Sequence, residues 1–193
     1  MRIVAFEHLT LDGVMQGPGS PDEDRRGGFT LGGWAAIDDP EIGRKAGEGM
    51  AGTEGVLLGR QTYEDFHSFW PHQTDGNQFT AFLDKTTKYV VSTTLTEPLP
   101  WQNSTLLRDP VAGVAALRDR PGESVVLLGS GQLLRALLAH DLVDELQLMI
   151  HPVVLGTGRR LFADDEHVAR WRLAGAETTT SGVVMTTYRP AAR

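Results

Sequence analysis

The chain contains no cysteine, so disulfides, thiolate nucleophiles and cysteine-ligated zinc are excluded at once. Basic residues are scarce: 18 Lys and Arg stand against 25 Asp and Glu, a formal net charge of −7. That balance disfavours general nucleic-acid binding, which needs a clustered basic face, and the Arg159-Arg160 pair is too small to supply one. An anionic ligand must therefore be held by a few local donors. No apolar run approaches the roughly 18 residues that a spanning helix needs. The opening residues Met1-Arg2-Ile3-Val4-Ala5-Phe6 enter a strand pattern without the apolar stretch and cleavage site of a signal peptide. These absences predict a cytoplasmic protein with neither membrane nor nucleic-acid partners. The motifs Gly-x-Ser-x-Gly, His-Glu-x-x-His and the Walker loop are also missing. The six histidines are scattered, and the spacing of His67 and His72 matches no standard ligand pair, so no metal site is expected.

At 193 residues one compact domain over 1–193 is expected, with a core large enough to stand without staples. Hydrophobic patterning predicts strands over 2–9, 56–58, 88–92, 104–107, 124–128 and 145–154. A final hairpin is predicted over 171–179 and 183–189, turned at Ser181-Gly182. Helices are predicted from Asp39-Pro40-Glu41 to 51, from Arg60 to 66, over 111–118 behind Asp109 and Pro110, and over 131–140. The runs 56–58 and 124–128 are wholly apolar, as strands buried on both faces are. Strand–helix alternation followed by a strand-rich end argues for an α/β fold with a mostly parallel sheet, covered on both faces and carrying an antiparallel strand at its edge. The polar, Gly/Pro-rich segment 13–33 is long for a connection and is expected to be a lid or a binding loop.

Ligands of open α/β sheets sit beyond the carboxyl ends of the strands. Three such ends suit an anionic dinucleotide. In Leu58-Gly59-Arg60-Gln61-Thr62, a glycine leaves the strand and a helix N-terminus follows, with a cation and a hydroxyl on it; the same residues also make an ordinary strand–helix turn. Ser92, Thr93 and Thr94 place three hydroxyls at a second strand end, where they can donate to a phosphate or cap a turn. Gly129-Ser130-Gly131-Gln132 is a small-residue turn opening a helix, half of a dinucleotide fingerprint at best.

Taken together these segments resemble a known family. Leu58-Gly59-Arg60-Gln61-Thr62-Tyr63-Glu64 resembles the Gly-Arg-x-Thr-x-Glu signature of dihydrofolate reductases. Val143-Asp144-Glu145-Leu146, His151-Pro152-Val153-Val154-Leu155-Gly156-Thr157-Gly158 and Leu161-Phe162 are similar to the reductase half of riboflavin-pathway deaminase-reductases. Thr10-Leu11-Asp12-Gly13 resembles that branch's Ser-Leu-Asp-Gly. The basic residue that often precedes the latter is replaced within Phe6-Glu7-His8-Leu9, and because the reductase pattern fills the 193 residues no deaminase half is expected in them.

The resemblance implies a dihydrofolate-reductase-like three-layer fold, a mixed, mostly parallel sheet of about eight strands flanked by helices, usually as a homodimer. It implies NADPH as cofactor and a small heterocycle as substrate. Gly59, Arg60 and Thr62, the hydroxyls of Ser92, Thr93 and Thr94, and the turn Gly129, Ser130, Gly131 and Gln132 would hold the cofactor, with Arg60 on the 2′-phosphate. Asp38 or Asp39, shortly after Trp34, is placed to help protonate the substrate or to cap the next helix. Asp12 is either a substrate-side contact or the start of an Asx turn. Met15, Phe29 and Trp34 would line the closing loop. The activity implied is hydride transfer to a C=N or C=C bond. A non-catalytic NADPH-binding protein such as a redox sensor, and a partner-binding domain without cofactor, are the alternatives.

Overall fold

A computed structural model describes residues 1–37, 39–74, 76, 78–162 and 168–191 of the chain. Its strands are β1 (Arg2–Thr10), β2 (Thr53–Gly59), β3 (Thr87–Val91), β4 (Ser104–Leu107), β5 (Ser124–Leu128), β6 (Glu145–His151), β7 (Trp171–Thr178) and β8 (Val184–Pro190). Its α-helices are α1 (Pro40–Gly49), α2 (Arg60–Phe69), α3 (Gln78–Lys85), α4 (Pro110–Arg118) and α5 (Gly131–Leu138). The eight strands form one sheet in the order β4-β3-β2-β5-β1-β6-β8-β7. The chain divides into two compact units: Met1–Ala5 with Met50–Asp144, and Phe6–Gly49 with Glu145–Arg193.

In the first unit β2 pairs in parallel with both β3 and β5, and β3 in parallel with β4. Val56, Leu57, Leu58, Val125 and Leu127 have no exposed surface, as strands covered on both faces require. Helix α5 turns Leu133, Leu134 and Leu137 inward, the i, i+1, i+4 spacing of one apolar face. Helix α4 starts where the sequence places it. The Asp109 carboxylate accepts from the backbone N–H groups of Val111 and Ala112 at 2.8 and 2.9 Å, and Pro110 occupies the first turn. Helix α3 is not foreseen by the sequence reading; its burial rests on Leu83 alone, so the apolar stripe is thin. The buried Lys88 closes that helix, donating from Nζ to the carbonyls of Leu83 and Thr86 at 2.6 and 2.9 Å, with its ammonium 4.6 Å from the centre of the Trp101 ring.

In the second unit β8 runs antiparallel to both β6 and β7. The expected antiparallel strand is present but is not the edge: β8 lies between β6 and β7, and β7 is outermost. The burial pattern gives the reason, because every residue of β7 after Trp171 is exposed, whereas β8 is half-buried over Val184–Tyr188 and buries Thr186. Strand β6 stops at His151 rather than 154, since Pro152 has no N–H to continue a ladder. The Gly/Pro-rich segment is stitched down. Leu11 N–H donates to Val153 O at 2.8 Å, Met15 N–H to Arg159 O at 2.9 Å, and Leu161 N–H returns to Gly13 O at 3.0 Å. A short 3-10 turn forms at Arg26–Gly28. Among the described residues no helix is long and apolar enough to cross a membrane.

Candidate functional site

The parallel pairing of β2 with its two neighbours puts three carboxyl ends at one rim. Gly59 is in register with Val91 of β3, and Leu57 with Leu127 of β5. The turns after β2 and β5 are joined there. Ser130 Oγ accepts from Gly59 N–H at 2.8 Å and donates to Thr62 Oγ1 at 2.7 Å. Gly129 and Ser130 both have positive φ, 57° and 64°. Glycine adopts this freely; serine does so at a cost that the two hydrogen bonds offset. A methyl group at Gly59 would stand 3.1 Å from Ser130 Oγ, a tight contact that would press on the hydroxyl joining the two turns. Helices α2 and α5 therefore open side by side, with unsatisfied N–H groups and the positive ends of their dipoles at the same edge.

The third end is divided in role. Ser92 is buried, and its Oγ accepts from the N–H groups of Thr94 and Leu95 at 3.1 and 3.0 Å, so it builds the turn. Thr93 and Thr94 are exposed. Arg60 pairs with Glu64 at 2.8 Å, a half-exposed i,i+4 contact. Pairs of this kind contribute under about 1 kcal/mol, which leaves the guanidinium easy to recruit. Gln132 is exposed and Gly131 buried. One cation escaped the sequence reading: Arg108, directly after β4, donates to Thr93 O at 3.3 Å and adds a second guanidinium beside the hydroxyls. Its position just outside the predicted strand 104–107 was the available signal.

The residues of the second unit sort among the readings that the sequence left open. Asp12 has no proton to give near neutral pH. The Thr10 hydroxyl donates to it at 2.7 Å and the N–H groups of Leu155 and Gly156 at 3.2 and 2.9 Å, which draws its carboxyl down to about 2. Asp39 is likewise committed. It accepts from Glu41 N–H at 2.9 Å, capping α1, and from Ser181 N–H at 3.2 Å; hydrogen bonding from Ser181 is the main cause lowering its carboxyl below the usual range. Proton delivery by either carboxylate finds no support in this geometry. Asp38 lies outside the described residues. Met15 is half-buried. Phe29 is buried and borders an open cleft of about 460 Å³ with Gln16, Arg26 and Arg159. The buried Gln16 holds that loop, donating to the carbonyls of Asp24 and Arg26 at 3.2 and 2.9 Å and accepting from Arg159 N–H at 3.0 Å. Trp34 donates from its indole to Gln16 O at 2.7 Å and sets its ring edge-on to His151, 5.4 Å between centres.

Three further groups of this unit were missed. Glu7 on β1 is buried, and desolvation pushes its carboxyl up to about 8. His8 Nδ1 and His151 Nε2 share a hydrogen bond of 2.9 Å. Burial, with the neighbouring His151 second, takes His8 down to about 4, and burial also lowers His151, so the pair is neutral. Period-two alternation marks these positions as strand but cannot say that polar side chains occupy its buried face.

The sequence matches the family described as the RibD C-terminal domain over residues 2–185. The chain belongs to that family. Two Bacillus subtilis (strain 168) proteins are similar to this RibD C-terminal domain. The uncharacterized protein YyaP is 28% identical over 193 residues, 97% of this chain and 94% of YyaP. The uncharacterized protein YwjB is 28% identical over 123 residues, 63% of this chain and 66% of YwjB. Among solved structures, a putative riboflavin biosynthesis protein from Shewanella sp. PV-4 superposes with a TM-score of 0.74 at 22% identity, over 100% of both chains. Dihydrofolate reductase from Enterococcus faecalis, complexed with NADP(H) and RAB-propyl, gives 0.65 at 14% identity, over 99% of this chain and 97% of that one. The RibD C-terminal domain described here thus has the dihydrofolate-reductase-like fold.

Proposed function

We propose that the protein is an NADPH-dependent reductase that transfers hydride to a C=N or C=C bond of a small heterocycle, of the 5-amino-6-(5-phosphoribosylamino)uracil reductase or pterin reductase type. The observation that carries this reading is the joined rim of the first unit. Two glycine turns and two helix N-termini meet through Ser130, with hydroxyls and two arginines alongside. The fit to a phosphorylated dinucleotide is chemical: backbone approach at Gly59 and Gly129, free N–H groups for a pyrophosphate, and guanidinium forks for a monoester. Thr62 and the turn 129–132 would hold the pyrophosphate. Arg60, exchanging Glu64 for phosphate, would read the 2′-phosphate beside Thr93 and Thr94. When bound, the cofactor supplies the hydride; the chain orients it and excludes water. The proposal includes a cytoplasmic homodimer.

A second reading, a non-catalytic NADPH-binding protein, is favoured by one observation: both described candidate carboxylates are occupied structurally. Turnover with pterins and aminouracils separates the two. The reading itself is tested by intrinsic-fluorescence quenching with NADPH and NADH, in wild type and Arg60→Ala. We expect NADPH to bind more tightly by roughly tenfold or more, the worth of a charge-assisted hydrogen bond, and the mutant to lose that preference selectively. Equal affinities in wild type would remove the 2′-phosphate assignment.

A further inference from the structure

We propose that the protein pairs with a second copy of itself through the free edge of β7, strand against antiparallel strand, about a two-fold axis between Ala174 and Gly175. The inference rests on the homodimer reading above and assigns it a surface, which lies wholly in the second unit. The two ends of the sheet differ. Strand β4 closes one end with four residues, whereas β7 closes the other with eight, and all of those after Trp171 are exposed. Folded proteins blunt a long edge with lysine, proline or a covering segment. The run Trp171-Arg172-Leu173-Ala174-Gly175-Ala176-Glu177-Thr178 has neither lysine nor proline, and among the described residues β8 alone pairs with it. A bulge is another such device, and β7 carries one at Ala174, but here it sets a register rather than preventing one.

The pairing with β8 decides which backbone groups face the free edge. Arg170 O accepts from Ala191 N–H and Thr179 N–H donates to Val183 O, both at 2.9 Å. Hydrogen-bonded residues alternate along an antiparallel pair, so Arg172 and Glu177 bond inward as well. Trp171, Leu173, Ala176 and Thr178 therefore turn their N–H and C=O groups outward. The change of parity between Leu173 and Ala176 comes from the bulge, where the register slips between Leu173 and Gly175. About the proposed axis, Leu173 lies opposite the partner's Ala176 and Trp171 opposite the partner's Thr178. Every outward residue thus meets an outward one, a match that an unbulged strand could not make in this register.

The charges select the same register, and with it a copy of this chain as the occupant. Arg172 and Glu177 are equally far from the axis, so each Arg172 faces the partner's Glu177, at the non-hydrogen-bonded positions where side chains come closest. Glu177 also pairs with Lys45, but its side chain is 67% exposed and keeps room for a second cation. An axis at residue 172 or 177 would instead set Arg172 against Arg172 or Glu177 against Glu177. Ala174 and Gly175 put no bulk at the axis, and Leu173, 55% exposed, gains cover from the partner's Ala176. Such a contact is the same patch on both subunits and closes at two copies.

Sedimentation velocity on wild type, Arg172→Glu, Glu177→Arg and the double exchange tests this. Wild type should be a dimer. Each single variant sets two like-charged pairs across the axis and should raise the dissociation constant by about tenfold or more. The double exchange restores opposite charges and should return to within about threefold of wild type, a rescue that loss of local structure would not give. Hydrogen exchange on the wild-type dimer needs no variant: the outward amides of Leu173 and Ala176 should exchange as slowly as the inward-bonded amides of Arg172 and Glu177. A monomeric wild type, single variants that dimerise as wild type does, a double exchange no better than the singles, or fast exchange at Leu173 and Ala176 would each overturn the proposal. A wild-type dimer indifferent to these charges removes this surface and leaves the homodimer reading standing, while NADPH quenching judges the reductase reading by itself.

Discussion

Replacing Glu7 by glutamine should stabilise the protein, and by an amount that grows with pH. Glu7 is 3% exposed, and its Oε1 has no hydrogen-bond partner among the described residues. Burial moves its carboxyl from 4.5 to about 8. Below the lower value both folded and unfolded chains hold the proton. Between the two, the unfolded chain releases it and the folded chain keeps it, so stability falls as pH rises. At about 1.4 kcal/mol per pH unit, roughly 3 kcal/mol is lost by pH 7 and between 4 and 5 by pH 8. Glutamine has nearly the same shape and does not titrate. The Tm difference between Glu7→Gln and wild type should therefore widen by roughly 10 °C from pH 4.5 to pH 8, at about 2–4 °C per kcal/mol for a chain of this size. Thermal melts followed by circular dichroism across that range measure it, with urea melts at the two ends as a check. A difference that stays flat with pH would refute the reasoning, because it would mean that the carboxyl ionises normally in the folded protein.

Two more substitutions test the first unit. Burial lowers Lys88 to about 8 against its ordinary 10.5. The unfolded chain then holds a proton that the folded one has released, and wild type should gain stability from pH 8 to pH 10; Lys88→Met should lose that slope in parallel urea melts. Asp109→Ala removes the cap on two N–H groups of α4 and should cost about 1 kcal/mol, or roughly 2–4 °C in Tm by calorimetry.

Much of the fold was legible because local chemistry and fold agreed. Asp109-Pro110 started α4 as read, and the apolar runs 56–58 and 124–128 became strands covered on both faces. The rim of strand-end turns was legible for the same reason: a glycine between a buried strand and a helix marks a carboxyl-end turn wherever the strand lies in the sheet. The Gly/Pro-rich segment was legible as a long connection, but not as one stitched to 153–161, since its backbone partners lie over a hundred residues away. Asp12 illustrates the limit. Its spacing from Gly13 allowed an Asx turn or a ligand contact, and its actual partners, Leu155 and Gly156, are remote in sequence.

The order of residues alone determined the family, the class of fold and the glycine-and-hydroxyl character of the rim, because these depend on periodicity, caps and turns within a few residues of one another. Only the tertiary structure decided that Ser130 joins two of the turns, that β8 lies inside β7, and that Glu7 and His151 are buried polar groups beside a half-buried His8. Burial is a property of what the rest of the chain brings near. A polar side chain on a strand reads the same in sequence whether it faces water or has been removed from it, and its chemistry depends on which.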